Sequence, residues 1–389
     1  FFTNFSFQIL IIATLCCSSI LANMNIYNFT KICPEPIDQD QSEANFTKMS
    51  SPFTRLEETV LQSASAIGAL LSSIPYLIVF NNFSGRYSFV SAGAISIVST
   101  AVVPVAYSLG FWGFLAARIV QGVAFSTTFL VIGMVTADWA PLGEHGIFLA
   151  FLTGCTQLSN IFTMPVSGAI CSNSSMGWPW VYYVHAIVCA VLFGLWFLIY
   201  RDTPSVHACV ASSELERIKR GKLEKKSIRD PVPYRQVLKD VPILTNWLSA
   251  FADLLYVQLR FKQYCRCLVG FLSAVPVIAQ FAAKLLSGVS SDMLSCVSAT
   301  VNVKIFNTLA LIVSGVFMIG LAFVPNSQQL LCVISIIMNI WSFCILIEPF
   351  IVEPILVDQK SESQWLIVFC IHGGFAIVAG VIFLFTADA

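Results

Sequence analysis

The sequence predicts an all-α membrane protein built as two helical halves, and three observations carry that prediction. Hydrophobic residues make up 57% of the 389-residue chain, charged residues only 11%, and the mean hydropathy is +0.80. A soluble domain carries about 25% charged residues. Apolar stretches long enough to span a bilayer recur along the whole length. One strongly basic segment, Arg201 to Asp240, interrupts them and holds ten of the 21 Lys and Arg residues.

A membrane helix needs about 20 apolar residues to cross about 30 Å of hydrocarbon. The stretches that qualify are 7–27, 57–80, 88–109, 112–136, 147–169 and 180–199 before the basic segment. After it come 242–259, 268–289, 304–324, 329–356 and 364–386. This gives an N-terminal half over 1–200, a linker over 201–240 and a C-terminal half over 241–389, with about eleven recognisable spans. The chain opens on Phe1, so the sequence is read as a fragment or an incomplete gene product. Its first apolar stretch lacks a basic leader and a small-residue cleavage site, so it is expected to be a membrane helix and not a removed signal.

Lys/Arg-rich loops stay on the cytoplasmic side, which places 201–240 in the cytoplasm. Counting back six spans puts residues 28–56 on the opposite side. The glycosylation triplets Asn28-Phe29-Thr30, Asn45-Phe46-Thr47 and Asn173-Ser174-Ser175 fall on that same side, whereas Asn82-Phe83-Ser84 falls on the cytoplasmic one. The two short loops 81–87 and 288–292 occupy equivalent places in the two halves.

Charges inside apolar stretches are the candidate functional groups, because a charge at a bilayer centre costs about 2.5–3.5 kcal/mol on insertion scales. Arg118 is the foremost, with Gln121 and Gly122 following one turn later. Two readings of Arg118 stand: a group that binds an anion or balances a carboxylate, or one that hydrogen-bonds backbone and loop groups near the cytoplasmic helix ends. Lys284 either attracts an anion or snorkels to the interface. Asp253 and Glu348 are candidate coupling sites for a cation or proton, and Glu353 resembles Glu348 in setting. The four histidines are isolated and lack metal spacing. Thirteen cysteines are read as small hydrophobes of lipid-facing helices. No phosphate loop, nucleophile elbow or paired-carboxylate pattern is present, so no enzyme, metal or cofactor is expected. The net charge of zero says nothing about nucleic-acid or acidic partners; the partners expected of such a membrane protein are a small anionic substrate and the lipid bilayer, with no nucleic acid.

Several motifs are more specific. Arg118-Ile119-Val120-Gln121-Gly122 resembles the fourth-helix signature of the major facilitator superfamily. Trp139-Ala140-Pro141 with Glu144, Pro165-Val166-Ser167-Gly168, Gly177-Trp178-Pro179 and Asp202-Thr203-Pro204 with His207 narrow the likeness. They resemble the solute carrier family of sialin, the vesicular glutamate transporters and the type I sodium/phosphate cotransporters. Gly270–Pro276, Val303–Asn307 and Ser363-Gln364-Trp365 fit the same family, and Asn28–Cys33 looks like its invertebrate branch. The resemblance implies the major facilitator fold with twelve helices in two halves. It also implies a plasma or vesicular membrane, and secondary transport of inorganic phosphate or a small organic anion coupled to Na⁺ or H⁺.

The sequence departs from that family where the chemistry lies. Phe125 stands where transporting members carry a glutamate, and Gly133 where the glutamate transporters carry a histidine. Asn23 and Asn25 occupy the first span in place of an arginine. Span seven is short, Arg260, Lys262 and Arg266 follow it, and much of the tenth helix is missing between Ser327 and Met338. These departures motivate the alternative of a transport-incompetent paralogue or partial gene product of the same fold.

Overall fold

In the computed structural model, the described residues are 5–30, 53–172, 177–220 and a few short helical pieces between 277 and 289. The chain divides into two compact units: Phe1–Arg220 with Phe261–Phe281, and Gly221–Arg260 with Ala282–Ala389. The first unit contains the six expected N-terminal spans, and no strand occurs among the described residues.

Span one is α1 (Phe5–Thr30) and span two is α2 (Arg55–Asn82). Thr54 and Glu57 close a reciprocal capping box at the start of α2, which satisfies backbone N–H groups that a helix start leaves free. Span three is α3 (Gly85–Ser108). It turns at once into span four through Gly110, whose φ of 84° is a conformation that glycine adopts without steric cost. Spans four and five each bend at one residue. The fourth divides at Ser126 into α4 (Phe111–Phe125) and α5 (Thr127–Trp139); the fifth divides at Gly154 into α6 (His145–Thr153) and α7 (Cys155–Ser172). Around the first bend, Ser126 Oγ and Thr127 Oγ1 donate to the carbonyls of Val123 and Ala124, the back-bonding that bends helices. Span six is α8 (Trp178–Ile199), and a short helix, α9 (Ser212–Lys219), follows.

Small residues set how closely these helices approach. A Cβ on Gly122 of α4 would lie 1.8 Å from the Ser65 carbonyl of α2, and one on Gly68 of α2 would lie 2.0 Å from the Ile119 carbonyl of α4. Gly93 of α3 likewise abuts the Phe193 ring of α8. Close backbone approach at small residues is how membrane helices gain packing without a hydrophobic driving force.

The bundle has two distinct ends. At the end where α1 stops and α2 starts, Tyr27, Phe114, Tyr107 and Trp178 interlock edge to face around Leu61, Val103 and Val181. Cys171 lies at that end and is disulfide-bonded, with its partner outside the described residues. That corrects the expectation that every cysteine is a plain hydrophobe. The opposite end, the base, carries Ser84, Trp139–His145 and Tyr200–Lys219.

Candidate functional site

Arg118 points into the bundle and is 2% exposed. Its Nη1 donates to the Met24 carbonyl (2.8 Å) and to Gln121 Oε1 (2.9 Å), Nε to the Leu61 carbonyl (3.4 Å) and Nη2 to Ser65 Oγ (3.4 Å). The guanidinium also sits over the Tyr27 ring, 4.9 Å from its centroid. All of these partners are uncharged. A planar fork with several donors suits such a clamp, and a lysine cannot reproduce it. Gln121 extends the network: its Nε2 donates to the Asn23 carbonyl (3.2 Å) and to Thr100 Oγ1 (3.1 Å). Asn23 Nδ2 in turn donates to Ser96 Oγ at 2.9 Å.

The signature on α4 therefore grips two successive carbonyls of α1, those of Asn23 and Met24, while tying in α2 and α3. Arg118 lies two turns from Phe111, at the end where α1 stops. Its partners, the Met24 and Leu61 carbonyls and the Gln121 and Ser65 side chains, lie at the end of the bundle away from the base.

Positions 118, 122, 125, 129 and 133 would share one face of a straight helix, but the bend at Ser126 divides them. Arg118 and Gly122 turn inward. Phe125 is nearly buried, its ring 5.8 Å from that of Phe129. Phe129 is 64% exposed, and nothing lies within 4 Å of where a Gly133 Cβ would stand.

A second polar group was only half visible in the sequence. Asn25, on the other side of α1 from Asn23, donates through Nδ2 to Asn160 Oδ1 (3.0 Å) and Ser159 Oγ (3.5 Å) on α7. Asn160 lies near the middle of the span His145–Cys171. Both asparagines are partly exposed, whereas Ser159 is buried. No local signal pairs residues 135 apart in sequence.

Two of the family motifs, Trp139-Ala140-Pro141 with Glu144 and Asp202-Thr203-Pro204 with His207, meet at the base. Asp202 accepts from Ser84 Oγ (2.5 Å) and from the Arg86 backbone N–H (3.0 Å), so it caps α3 from another element. Glu214 of α9 accepts from the first two N–H groups of α1, at Phe5 and Ser6 (3.2 and 2.8 Å). Arg217 of α9 pairs with Glu144. The His207 ring lies 4.1 Å from that of Phe5, and its Nε2 meets the Ile199 carbonyl at 3.0 Å. Trp139 is fully buried beside Tyr200. Burial pushes the Tyr200 phenol well above its usual range, which keeps it neutral.

The remaining predicted residues scatter. His185 is buried with Nδ1 on the Val181 carbonyl (2.7 Å), but its Nε2 lacks a protein partner. Lys284 is half-buried in a helical stretch of the second unit. Asn28 lies in the final turn and a half of α1, a helical setting and not a loop. Asp253, Glu348, Glu353, Asn45, Asn173 and the shortened spans lie outside the described residues. Among the described residues, no group of three or more His, Cys, Asp or Glu side chains is placed to hold a metal ion.

A sequence profile described as Major Facilitator Superfamily matches residues 15–347. The chain belongs to that superfamily. Among curated relatives, sialin from Ovis aries is 24% identical over 373 residues, covering 82% of this chain and 75% of that protein. Sodium-dependent phosphate transport protein 1 from Oryctolagus cuniculus is 24% identical over 376 residues, covering 85% and 80%. Among solved structures, the partially occluded inward-open xylose transporter XylE from E. coli superposes with a TM-score of 0.61 at 12% identity, covering 97% and 96%. A bacterial homologue of the human lysosomal transporter Spinster gives 0.55 at 13% identity, covering 98% and 82%. This superfamily member is a multi-pass integral membrane transporter of the major facilitator fold, homologous to sialin and the sodium-dependent phosphate transport proteins. The matches extend through both halves and favour transport over the transport-incompetent alternative.

Proposed function

We propose that the protein is a secondary transporter of small anions, inorganic phosphate or a small organic anion, working by alternating access and driven by a Na⁺ or H⁺ gradient. The observation that carries this reading is the collinear likeness, over 85% of the chain, to a protein named for sodium-dependent phosphate transport. No cofactor beyond the coupling ion is required. Arg118 and Gln121 contribute by holding α1 and by placing positive charge inside the N-terminal half; Lys284, Asp253 and Glu348 are the substrate and coupling candidates of the other half. The basic segment 201–240 lies in the cytoplasm on this reading. Disulfides persist in oxidising compartments, so the bonded Cys171 supports an outer or luminal location for the opposite end.

Purified protein in liposomes tests the proposal directly. Radiolabelled phosphate is expected to accumulate under an inward Na⁺ or proton gradient and not in protein-free liposomes. Absence of uptake of phosphate, urate and acidic amino acids under either gradient overturns it. Phe125→Glu supplies a sharper form, with a gain of proton-coupled uptake expected over the wild type.

A further inference from the structure

We propose that Asn25 and Asn160 form a neutral binding site for an oxyanion that carries a hydroxyl beside its charged oxygen, such as hydrogen phosphate. The inference rests on the transport reading above and names the chemistry that this half of the protein offers to its substrate.

The argument starts from exposure. Asn25 and Asn160 are both partly exposed, yet they lie on membrane spans. An amide open to hydrocarbon leaves polar groups that lipid cannot satisfy, so such a pair faces a water-filled cavity. The internal bonding of the cluster then fixes what it presents. Asn25 Nδ2 donates to Asn160 Oδ1 and Ser159 Oγ, and Ser159 Oγ donates to the Thr156 carbonyl at 2.7 Å. Among the described residues this leaves two atoms without a protein partner: Asn160 Nδ2, a donor, and Asn25 Oδ1, an acceptor. An acceptor beside a donor matches a hydroxyl beside an anionic oxygen. It does not match a fully deprotonated oxyanion, which can only accept.

The buried network behind α1 holds this pair in place. Arg118 Nη1 bonds the carbonyl of Met24, the peptide group that joins Met24 to Asn25, and Gln121 bonds the carbonyl one residue earlier. Arg118 is thus a positioning residue for Asn25. Its guanidinium, ringed by neutral groups, adds positive potential without an ion pair to cancel it. Asn23 turns to α3 and Asn25 to α7, so one turn of α1 is fixed from both sides.

The test uses full-length protein in liposomes, with phosphate as substrate and sulfate as competitor, plus thermal unfolding with and without phosphate. Asn160→Asp keeps the acceptor that Asn25 Nδ2 needs but replaces the free donor with a carboxylate. Its expected KM for phosphate is higher by about tenfold or more, because a lost hydrogen bond to a charged group is worth that much, with an unfolding temperature like that of wild type. Arsenate should compete with phosphate, and sulfate should not. If the asparagines only pack α1 on α7, Asn160→Ala lowers stability while both variants keep KM within about twofold of wild type, and the site is overturned. Competition by sulfate as strong as by arsenate also overturns it. Wild-type uptake with an indifferent Asn160→Asp removes this inference alone. If wild-type protein neither takes up phosphate nor is stabilised by it, phosphate transport falls as well.

Discussion

Replacing Gly122 with alanine tests the packing that underlies the candidate site. The added Cβ would lie 1.8 Å from the Ser65 carbonyl oxygen, 2.6 Å from its carbon and 2.8 Å from its Cα. Ordinary contact begins near 3.4 Å, and each opposing atom is backbone, so α4 must move away from α2 by about 1.5 Å. Three hydrogen bonds cross this interface, each at 3.4 Å: Arg118 Nε to Leu61 O, Arg118 Nη2 to Ser65 Oγ, and Ser72 Oγ to Val123 O. Separation breaks all three. Overpacking costs about 1–3 kcal/mol. Each interhelical hydrogen bond in a membrane protein adds about 0.6 kcal/mol. Alanine recovers about 0.5–1 kcal/mol of helix propensity. The balance is a loss of about 2–4 kcal/mol, enough to lower Tm by several degrees. Thermal unfolding in detergent, followed by size-exclusion chromatography, reads the effect. Gly133→Ala is the control, since its Cβ would meet nothing within 4 Å. Gly122→Ala with a wild-type Tm, or Gly133→Ala falling equally far, refutes the close-approach argument. Gly68→Ala should lower Tm too, and the double variant should fall by less than the sum, because both are relieved by the same separation.

Arg118→Lys keeps the charge but loses the fork that reaches α1 and α2 together. We expect a loss of about 2–3 kcal/mol from hydrogen bonds to the charged group that lysine cannot remake, read as lower Tm and poor recovery of monodisperse protein; wild-type stability would refute the clamp. Asp202→Ala removes the acceptor shared by Ser84 Oγ and the Arg86 N–H. A loss of about 1 kcal/mol is expected, as for a helix cap, with earlier proteolysis at the 83–86 turn as the readout. Cys171 in sealed vesicles should resist a membrane-impermeant maleimide until reductant is added, and then label from the face opposite the 201–240 segment. Labelling without reduction would refute the disulfide.

The six N-terminal spans were legible because length and hydropathy are local properties, and a bilayer imposes both on every crossing. The expected stretch 7–27 is the helix segment Phe5–Phe29, and 112–136 is Phe111–Trp139. Bends were less legible. The split at Ser126 depends on two hydroxyls turning back on their own helix, and Ser-Thr pairs occur in straight helices as well. The divided helix face followed from that bend, so a face drawn with uniform periodicity ran past the point where its register to the bundle changes.

Partners were the least legible part, and Arg118 shows why. Its importance could be read from the cost of a charge among apolar residues, but two of its four hydrogen-bond partners are main-chain carbonyls, which every residue carries and no sequence pattern marks. The carbonyls of Met24 and Leu61 sit 94 and 57 residues away. The same holds at the base, where Asp202 caps a helix that starts more than a hundred residues earlier. The motifs that identify the superfamily are therefore mostly fastening points: Asp202 on α3, His207 against Phe5, Glu144 with Arg217, and Arg118 with Gln121 on α1. Arg118 and Asp202 each hold a main-chain partner, the Met24 carbonyl and the Arg86 N–H. On the proposed reading, Asn25 and Asn160 answer instead to the ligand that occupies the cavity. Strong fold signatures beside altered cavity residues are thus what a transporter with its own substrate preference would carry, and the discrimination between phosphate and sulfate at Asn25 and Asn160 measures that preference directly.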